Sequence, residues 1–194
     1  MLARLRRPAV LFPSALVLVA VLGVGMYLFQ PWLLFVDKTV DEASPIAAPP
    51  VVASSPALAD AMVIAPRPTQ SPNAAARPAV IATGEFISHE QGTSGTATVI
   101  ALPAGDRVLR LDGLDTSNGP DLRVWLSDAP VIEGPAGWFV FDDGDYVDLG
   151  ELKGNRGNQN YPIPATADLG DLTSVTIWCD RFSVSFGAAE LAAA

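Results

Sequence analysis

From Thr83 to the C-terminus, the chain consists of short β-type runs separated by turns, and this alternation of strands and turns limits the folds that the chain can adopt. The runs are β-branched and aromatic or alternate with a period of two, and none continues as a helical stripe. Gly, Pro, Asp and Asn fill the turns between them. The predicted strands are 84–87, 96–102, 107–111, 122–126, 138–141, 146–149, 174–179 and 182–186. This pattern predicts an all-β domain over residues 83–194, a β-sandwich of the Greek-key or immunoglobulin-like kind.

The N-terminal region has a different pattern, because the segment 9–29 carries no charge and follows Arg4, Arg6 and Arg7. About 20 apolar residues are enough for a helix to cross the hydrocarbon core of a bilayer. We therefore predict a cytoplasmic N-terminus (1–8) and a transmembrane signal-anchor helix with its interface (9–36). Localisation would be single-pass in the cell membrane, with the C-terminal domain extracytoplasmic.

Two alternatives exist for this segment. A cleaved signal peptide has a shorter apolar region followed by small residues, whereas here the run is longer and bulky residues follow it. A helix that packs on the core of a small globular domain keeps a polar face towards water, whereas this run is apolar on all faces. Both alternatives are less consistent with the sequence than an uncleaved anchor.

Residues 37–82 contain many prolines among Ala, Ser and Val, and they contain no aromatic residue. Such a composition is typical of a disordered Pro/Ala-rich linker that is extended and semi-rigid. At its polyproline limit this linker would reach on the order of 100 Å. We expect it to hold the C-terminal domain away from the membrane.

Charge and cysteine content exclude several classes of protein. From Thr83 onward there are 17 acidic and 6 basic residues, so the domain lacks the basic face that nucleic acid requires. The single cysteine, Cys179, excludes an internal disulfide and any zinc site built on several cysteines. Hydrolase signatures and nucleotide-binding glycine loops are also absent, so the sequence assigns no enzyme class.

The surroundings of Cys179 leave its role open. Alternation in SVTIWC places Val175, Ile177 and Cys179 on one face of a strand and Trp178 on the other. If Asp180 and Arg181 formed a two-residue turn, the next apolar stripe, beginning at Phe182, would share the face of the thiol. The thiol is then either a small buried hydrophobe or a group with a chemical function.

Four segments make the domain resemble the DM-thirteen family, often described as an electron-transfer domain. They are GEFISHEQGTSGTATVI, NGPDLRVWLS, VDLGELKGNRGNQNYPIP and SVTIWCDRFSVSFGAAEL, in the family's order. The family's cysteine maps onto Cys179 beside Trp178. The resemblance implies a redox thiol or a bound prosthetic group such as haem, and an extracellular setting.

Candidate ligands follow from this resemblance and from the residues available. A blue-copper site needs two histidines, and His89 is the only one in the chain, so no metal site is predicted. A haem could take Cys179, His89 or both as axial ligands, with Trp178 shaping the pocket. Alternatively, His89 is an exposed polar residue in the loop after the first strand.

The sequence therefore predicts a membrane-anchored extracytoplasmic domain with a redox or electron-transfer role centred on Cys179. Its expected partners are the membrane and a redox or cell-envelope protein. The first alternative is a non-enzymatic surface module that binds a ligand or protein and in which Cys179 is only packed. The second is a structural protein of the cell envelope.

Overall fold

The computed structural model describes residues 8–29, 36–46 and 77–194. It contains one long helix, α1 (Pro8–Phe29), and a β-rich domain that also includes a 3-10 turn at Pro135–Gly137. The strands are β1 (Thr39–Asp41), β2 (Ala79–Glu85), β3 (Ile87–Ser88), β4 (Ser94–Ala101), β5 (Arg107–Asp115), β6 (Leu122–Ser127), β7 (Tyr146–Glu151), β8 (Arg156–Ile163), β9 (Ser174–Cys179), β10 (Val184–Glu190) and β11 (Ala192–Ala193).

Within the described residues these strands form two sheets, in the orders β1-β8-β5-β4-β2-β11 and β3-β10-β9-β6-β7. All the pairings are antiparallel except that of β1 with β8. The two sheets pack face to face, and alternate residues of each sheet bury an apolar layer between them. The prediction of an all-β, sandwich-like domain is confirmed.

The five-stranded sheet, which carries the candidate site residues, is packed against apolar side chains on both of its faces. Its inner face carries aliphatic residues such as Val124 and Ile177 into the main core. Its outer face carries Trp125 and Trp178, which are packed beneath the long connection from β6 to β7. We call this second apolar cluster the outer core; its buried members are Trp125, Ala129, Phe141, Trp178 and Ala188.

The structure corrects two strand predictions. Residues 138–141 are not a strand, because Gly134, Pro135 and Gly137 turn the chain and the segment packs on a sheet surface without pairing. Conversely, β8 was missed, because Gly157, Asn158 and Asn160 near its start resemble a turn in the sequence. Gly157 in this strand has φ of 99°, a conformation that favours glycine over residues with a side chain.

The N-terminal predictions have mixed outcomes. No helix among the described residues is long and apolar enough to cross a membrane, so the predicted span stays a prediction. The predicted linker 37–82 differs from the structure at both ends, where β1 and the start of β2 are paired strands. Backbone pairing at both ends, together with ion pairs at the β1 end, outweighs the linker-like composition there. Residues 47–76 of the predicted linker lie outside the described residues, as do residues 1–7.

Candidate functional site

Cys179 is the last residue of β9, and its side chain points into the core between the two sheets. It pairs with Leu122 of β6 on one side and Val184 of β10 on the other. The side chain is fully buried, and the thiol donates a hydrogen bond to the carbonyl of Pro120 at 3.2 Å. Strand alternation predicted that Cys179 shares one face of the strand with Val175 and Ile177, and the structure shows that this face points into the core.

Burial raises the pKa of the Cys179 thiol, and backbone hydrogen bonds from Phe182 and Arg181 oppose this rise only in part. The negative charges of Asp121 and Glu90 raise the pKa further. A thiol in this setting is protonated at neutral pH and poorly placed for thiol–disulfide exchange, which needs an accessible thiolate. Any redox chemistry at Cys179 must therefore proceed without direct contact between sulfur and an external reactant.

The turn after β9 differs from the predicted two-residue hairpin. It spans four residues, 180–183, and ends at Ser183, which has φ of 47°. A tight hairpin needs residues that accept positive φ, and Asp-Arg does not supply them, so the loop is longer. As a consequence Phe182 lies in the turn and is 46% exposed, instead of continuing the apolar stripe.

Trp178 lies on the opposite face of β9 and belongs to the outer core. Its ring stacks on Trp125 at 5.1 Å between centroids, and Trp125 stacks on Tyr146 at 4.1 Å. Tyr146 is 45% exposed, whereas Trp178 is almost fully buried. The three rings form an aromatic stack that leads from the residue beside Cys179 to the protein surface.

His89 is buried, which contradicts its interpretation as an exposed loop residue. Its backbone N–H donates to the carbonyl of Phe186 at 3.0 Å, so the backbone continues alongside β10 past the end of β3. Nδ1 lies 2.7 Å from the hydroxyl of Ser185, which in turn is 2.8 Å from that of Thr176. The imidazole also packs at 5.9 Å from the ring of Phe141.

Burial lowers the pKa of His89, so the imidazole is neutral at pH 7. The backbone of Ile132 lies near enough to oppose this shift, yet Nε2 has no partner that meets hydrogen-bond geometry. A buried nitrogen without a partner is uncommon and costs free energy. The polar chain from His89 through Ser185 to Thr176 was not predicted, although alternation in β9 and β10 would have placed the two hydroxyls on one face.

The three predicted site residues are not brought together around one centre. Cys179 faces the main core, whereas His89 and Trp178 lie on the opposite side of the five-stranded sheet. One haem iron therefore cannot take both Cys179 and His89. Each is also packed too closely to leave room for a macrocycle, since the exposed fractions are 0% and 6%. The residues do not fit the predicted haem.

Other candidate features lie elsewhere. A cavity of about 150 Å³ lies beside β2, β4 and β11 and the connection from β8 to β9, and none of the three predicted site residues lines it. The acidic turn between β6 and β7 is exposed, and no group of His, Cys, Asp or Glu in the described ranges could hold a metal ion. The cavity is lined by Ile81, Ala82, Val99, Leu169, Leu172, Leu191 and Ala193.

Comparison with known proteins gives one match. A family model described as electron transfer DM13 matches residues 85–191, more than half of the chain. The matched region begins at the end of β2, ends just after β10 and contains Cys179, Trp178 and His89. No curated protein and no solved structure matches the chain.

Proposed function

The chain belongs to the family of the electron transfer domain DM13, and on this basis we propose that it transfers single electrons with Cys179 as the redox group. The observation that carries the proposal is the family match, which covers the domain from the end of β2 to Leu191. The resemblance of the Trp178-Cys179 pair to the tryptophan-cysteine pair of the family supports Cys179 as this group.

The burial of Cys179 favours electron transfer over thiol exchange. Exchange requires an incoming sulfur to touch Sγ, which has no exposed surface. An electron can tunnel over a few ångströms through packed protein, so contact is unnecessary. The aromatic stack of Trp178, Trp125 and Tyr146 supplies such a route, because each ring lies within 5.1 Å of the next.

The proposed step balances as a one-electron, one-proton oxidation. The S–H bond of Cys179 breaks, and the electron passes along the stack to a one-electron acceptor at Tyr146. The proton passes to a carboxylate, for which Asp121 is the candidate, because it follows Pro120, whose carbonyl accepts the hydrogen bond of the thiol, and it also pairs with Arg123 at 3.2 Å. Reduction by a one-electron donor reverses both transfers.

We also propose that the domain is held at the outer surface of a membrane. The support is the uncharged segment 9–29 behind three arginines, which matches a signal-anchor sequence. The partner would then be a redox or cell-envelope protein on the same side of the membrane.

One observation favours the alternative of a non-enzymatic binding module. Cys179 is fully buried, hydrogen-bonded and surrounded by apolar side chains, as expected for a cysteine that acts only as a small hydrophobe. In this case the role of Cys179 is packing, and the surface of the domain binds a ligand or protein.

Voltammetry of the full-length chain, produced in an exporting host, distinguishes the two functions. We expect a one-electron wave that Cys179→Ser abolishes and Trp125→Phe slows. Trp138→Phe is the matched control, because the ring of Trp138 contacts Phe139 and lies outside the stack. A folded wild-type chain without a wave would favour the binding module, and a wave that survives in Cys179→Ser would place the redox group elsewhere.

A further inference from the structure

The strand β1 lies far upstream of the family domain, yet it is bound along the edge of β8. Thr39, Val40 and Asp41 pair in parallel with residues 156–158. Backbone hydrogen bonds run from Arg156 N to the Lys38 carbonyl at 3.3 Å and from Glu42 N to the Asn158 carbonyl at 2.9 Å. More than 40 residues separate this strand from the start of the matched region at residue 85.

Four asparagines of the domain hold the docked segment, residues 36–43, through its backbone and its acids. Asn155 accepts from the backbone N–H of Lys38 at 2.7 Å and donates to Asp37 at 2.8 Å. Asn158 donates to the carboxylate of Asp41 at 2.8 Å. The remaining contacts are those of Asn160 with Glu42 and Ala43, and of Asn118 with Val36.

The charges of the docked segment and of the domain surface around β8 are complementary. Glu42 pairs with Lys153 at 2.8 Å, and Asp37 pairs with Arg156 at 3.0 Å. Arg110, which is almost fully buried, donates to the carbonyl of Glu42 at 2.7 Å. The domain from Thr83 onward has only six basic residues, and three of them lie beneath this acidic segment. This concentration in an otherwise acidic domain indicates a surface matched to an acidic ligand.

Two glycines in and beside β8 leave room for the backbone of the docked segment. A Cβ on Gly154 would overlap the carbonyl of Lys38, and a Cβ on Gly157 would overlap the carbonyl of Val40. In both cases every close neighbour of the added carbon belongs to the docked segment. The segment KGNRGNQN therefore combines an open strand edge, asparagine donors, cations and glycines that fit one extended peptide.

We propose that the edge of β8 is a strand-binding site for an extended acidic peptide, and that residues 36–43 are its tethered ligand. Recognition is by strand addition, in which main-chain hydrogen bonds give affinity and side-chain contacts give specificity. The tether raises the effective concentration of the ligand, so the site is filled within one chain. Filling it also covers a sheet edge that would otherwise expose unpaired backbone groups.

Peptide binding to the full-length chain tests the proposal. Val40→Pro should release the native ligand, because proline lacks the N–H that a strand interior donates. A fluorescently labelled peptide of sequence VDKTVDEAS should then bind the Val40→Pro chain saturably, and bind the wild-type chain much more weakly. Binding should weaken with added salt, and it should be lost when the peptide's Asp37, Asp41 and Glu42 are replaced by their amides.

Glycine variants supply the matched control. Adding Gly154→Ala to Val40→Pro should abolish peptide binding, whereas adding Gly92→Ala should not, because a Cβ at Gly92 meets open space. If Val40→Pro fails to fold, the double variant Asp37→Lys, Glu42→Lys replaces it. Its new lysines should be repelled by Arg156 and Lys153 and release the segment, so this chain should bind the same peptide. Equal binding to wild-type and released chains, or no binding to a folded released chain, would overturn the proposal.

Discussion

Neighbouring residues of β9 occupy different environments, because successive side chains of a strand point to opposite faces. Cys179 is held in the main core as a protonated thiol, whereas Trp178 lies in the outer core and joins the aromatic stack. His89 belongs to the side of Trp178, where it is buried and neutral. The tryptophan-cysteine pair is thus a junction between two packed layers of the domain.

His89 should make folding stability depend on pH below about 6.5, the ordinary pKa of histidine. Its pKa is lowered in the folded state, so below that pH the unfolded chain binds more protons than the folded chain. The free energy of unfolding should therefore fall as the pH decreases from 6.5 towards 5. Urea titrations across this range measure the effect, and His89 is the only histidine that contributes.

The control for this prediction is His89→Asn, whose amide can still bond to Ser185 but does not titrate. This variant should show a flatter dependence of stability on pH over the same range. An unchanged slope would mean that acidic groups, rather than His89, cause the loss of stability.

At the scale of elements, the connection between β6 and β7 acts as part of the fold rather than as a surface loop. It supplies Phe141 to the outer core, where the ring lies 6.4 Å from Trp178 and 5.9 Å from His89. Its carbonyl at Trp138 accepts a hydrogen bond from Ser185 N at 2.8 Å. The connection therefore seals the outer face of the five-stranded sheet against water.

Phe141→Ala should destabilise the domain by about 3 to 5 kcal/mol, the usual cost of removing a fully buried phenylalanine. Phe139→Ala removes the same atoms two residues away, where the side chain is 54% exposed, and should change stability by less than about 0.5 kcal/mol. Denaturation followed by tryptophan fluorescence measures both. Similar losses in the two variants would show that the connection is not packed as described.

At the scale of the whole molecule, the docking of β1 shortens the reach between α1 and the domain. Only residues 30–38 lie between the end of α1 and the start of β1. Nine residues span at most about 30 Å, in contrast to the order of 100 Å expected of the whole predicted linker. The remainder of that segment starts and ends on the domain, because β1 and β2 are both strands of the six-stranded sheet.

Inserting 20 Gly/Ser residues within 47–76 should therefore leave the distance between α1 and the domain unchanged. The same insertion within 30–36 should lengthen it. Energy transfer between labels at residues 30 and 168 measures this distance, and the buried Cys179 should not compete for the label. A longer distance after the first insertion would show that β1 is not docked in solution.

The all-β class, most of the strands, the face that Cys179 shares with Val175 and Ile177, and the family could all be predicted from the sequence, because they depend on local alternation, turn residues and motif order. The folded structure was needed to show that His89 is buried, that Cys179 and His89 lie on opposite faces of the sheet, and that β8 is a strand paired with β1. These outcomes depend on contacts between residues far apart in the chain. A Gly/Asn-rich segment resembles a turn until its partner, more than 100 residues upstream, supplies the acids and the backbone that it binds.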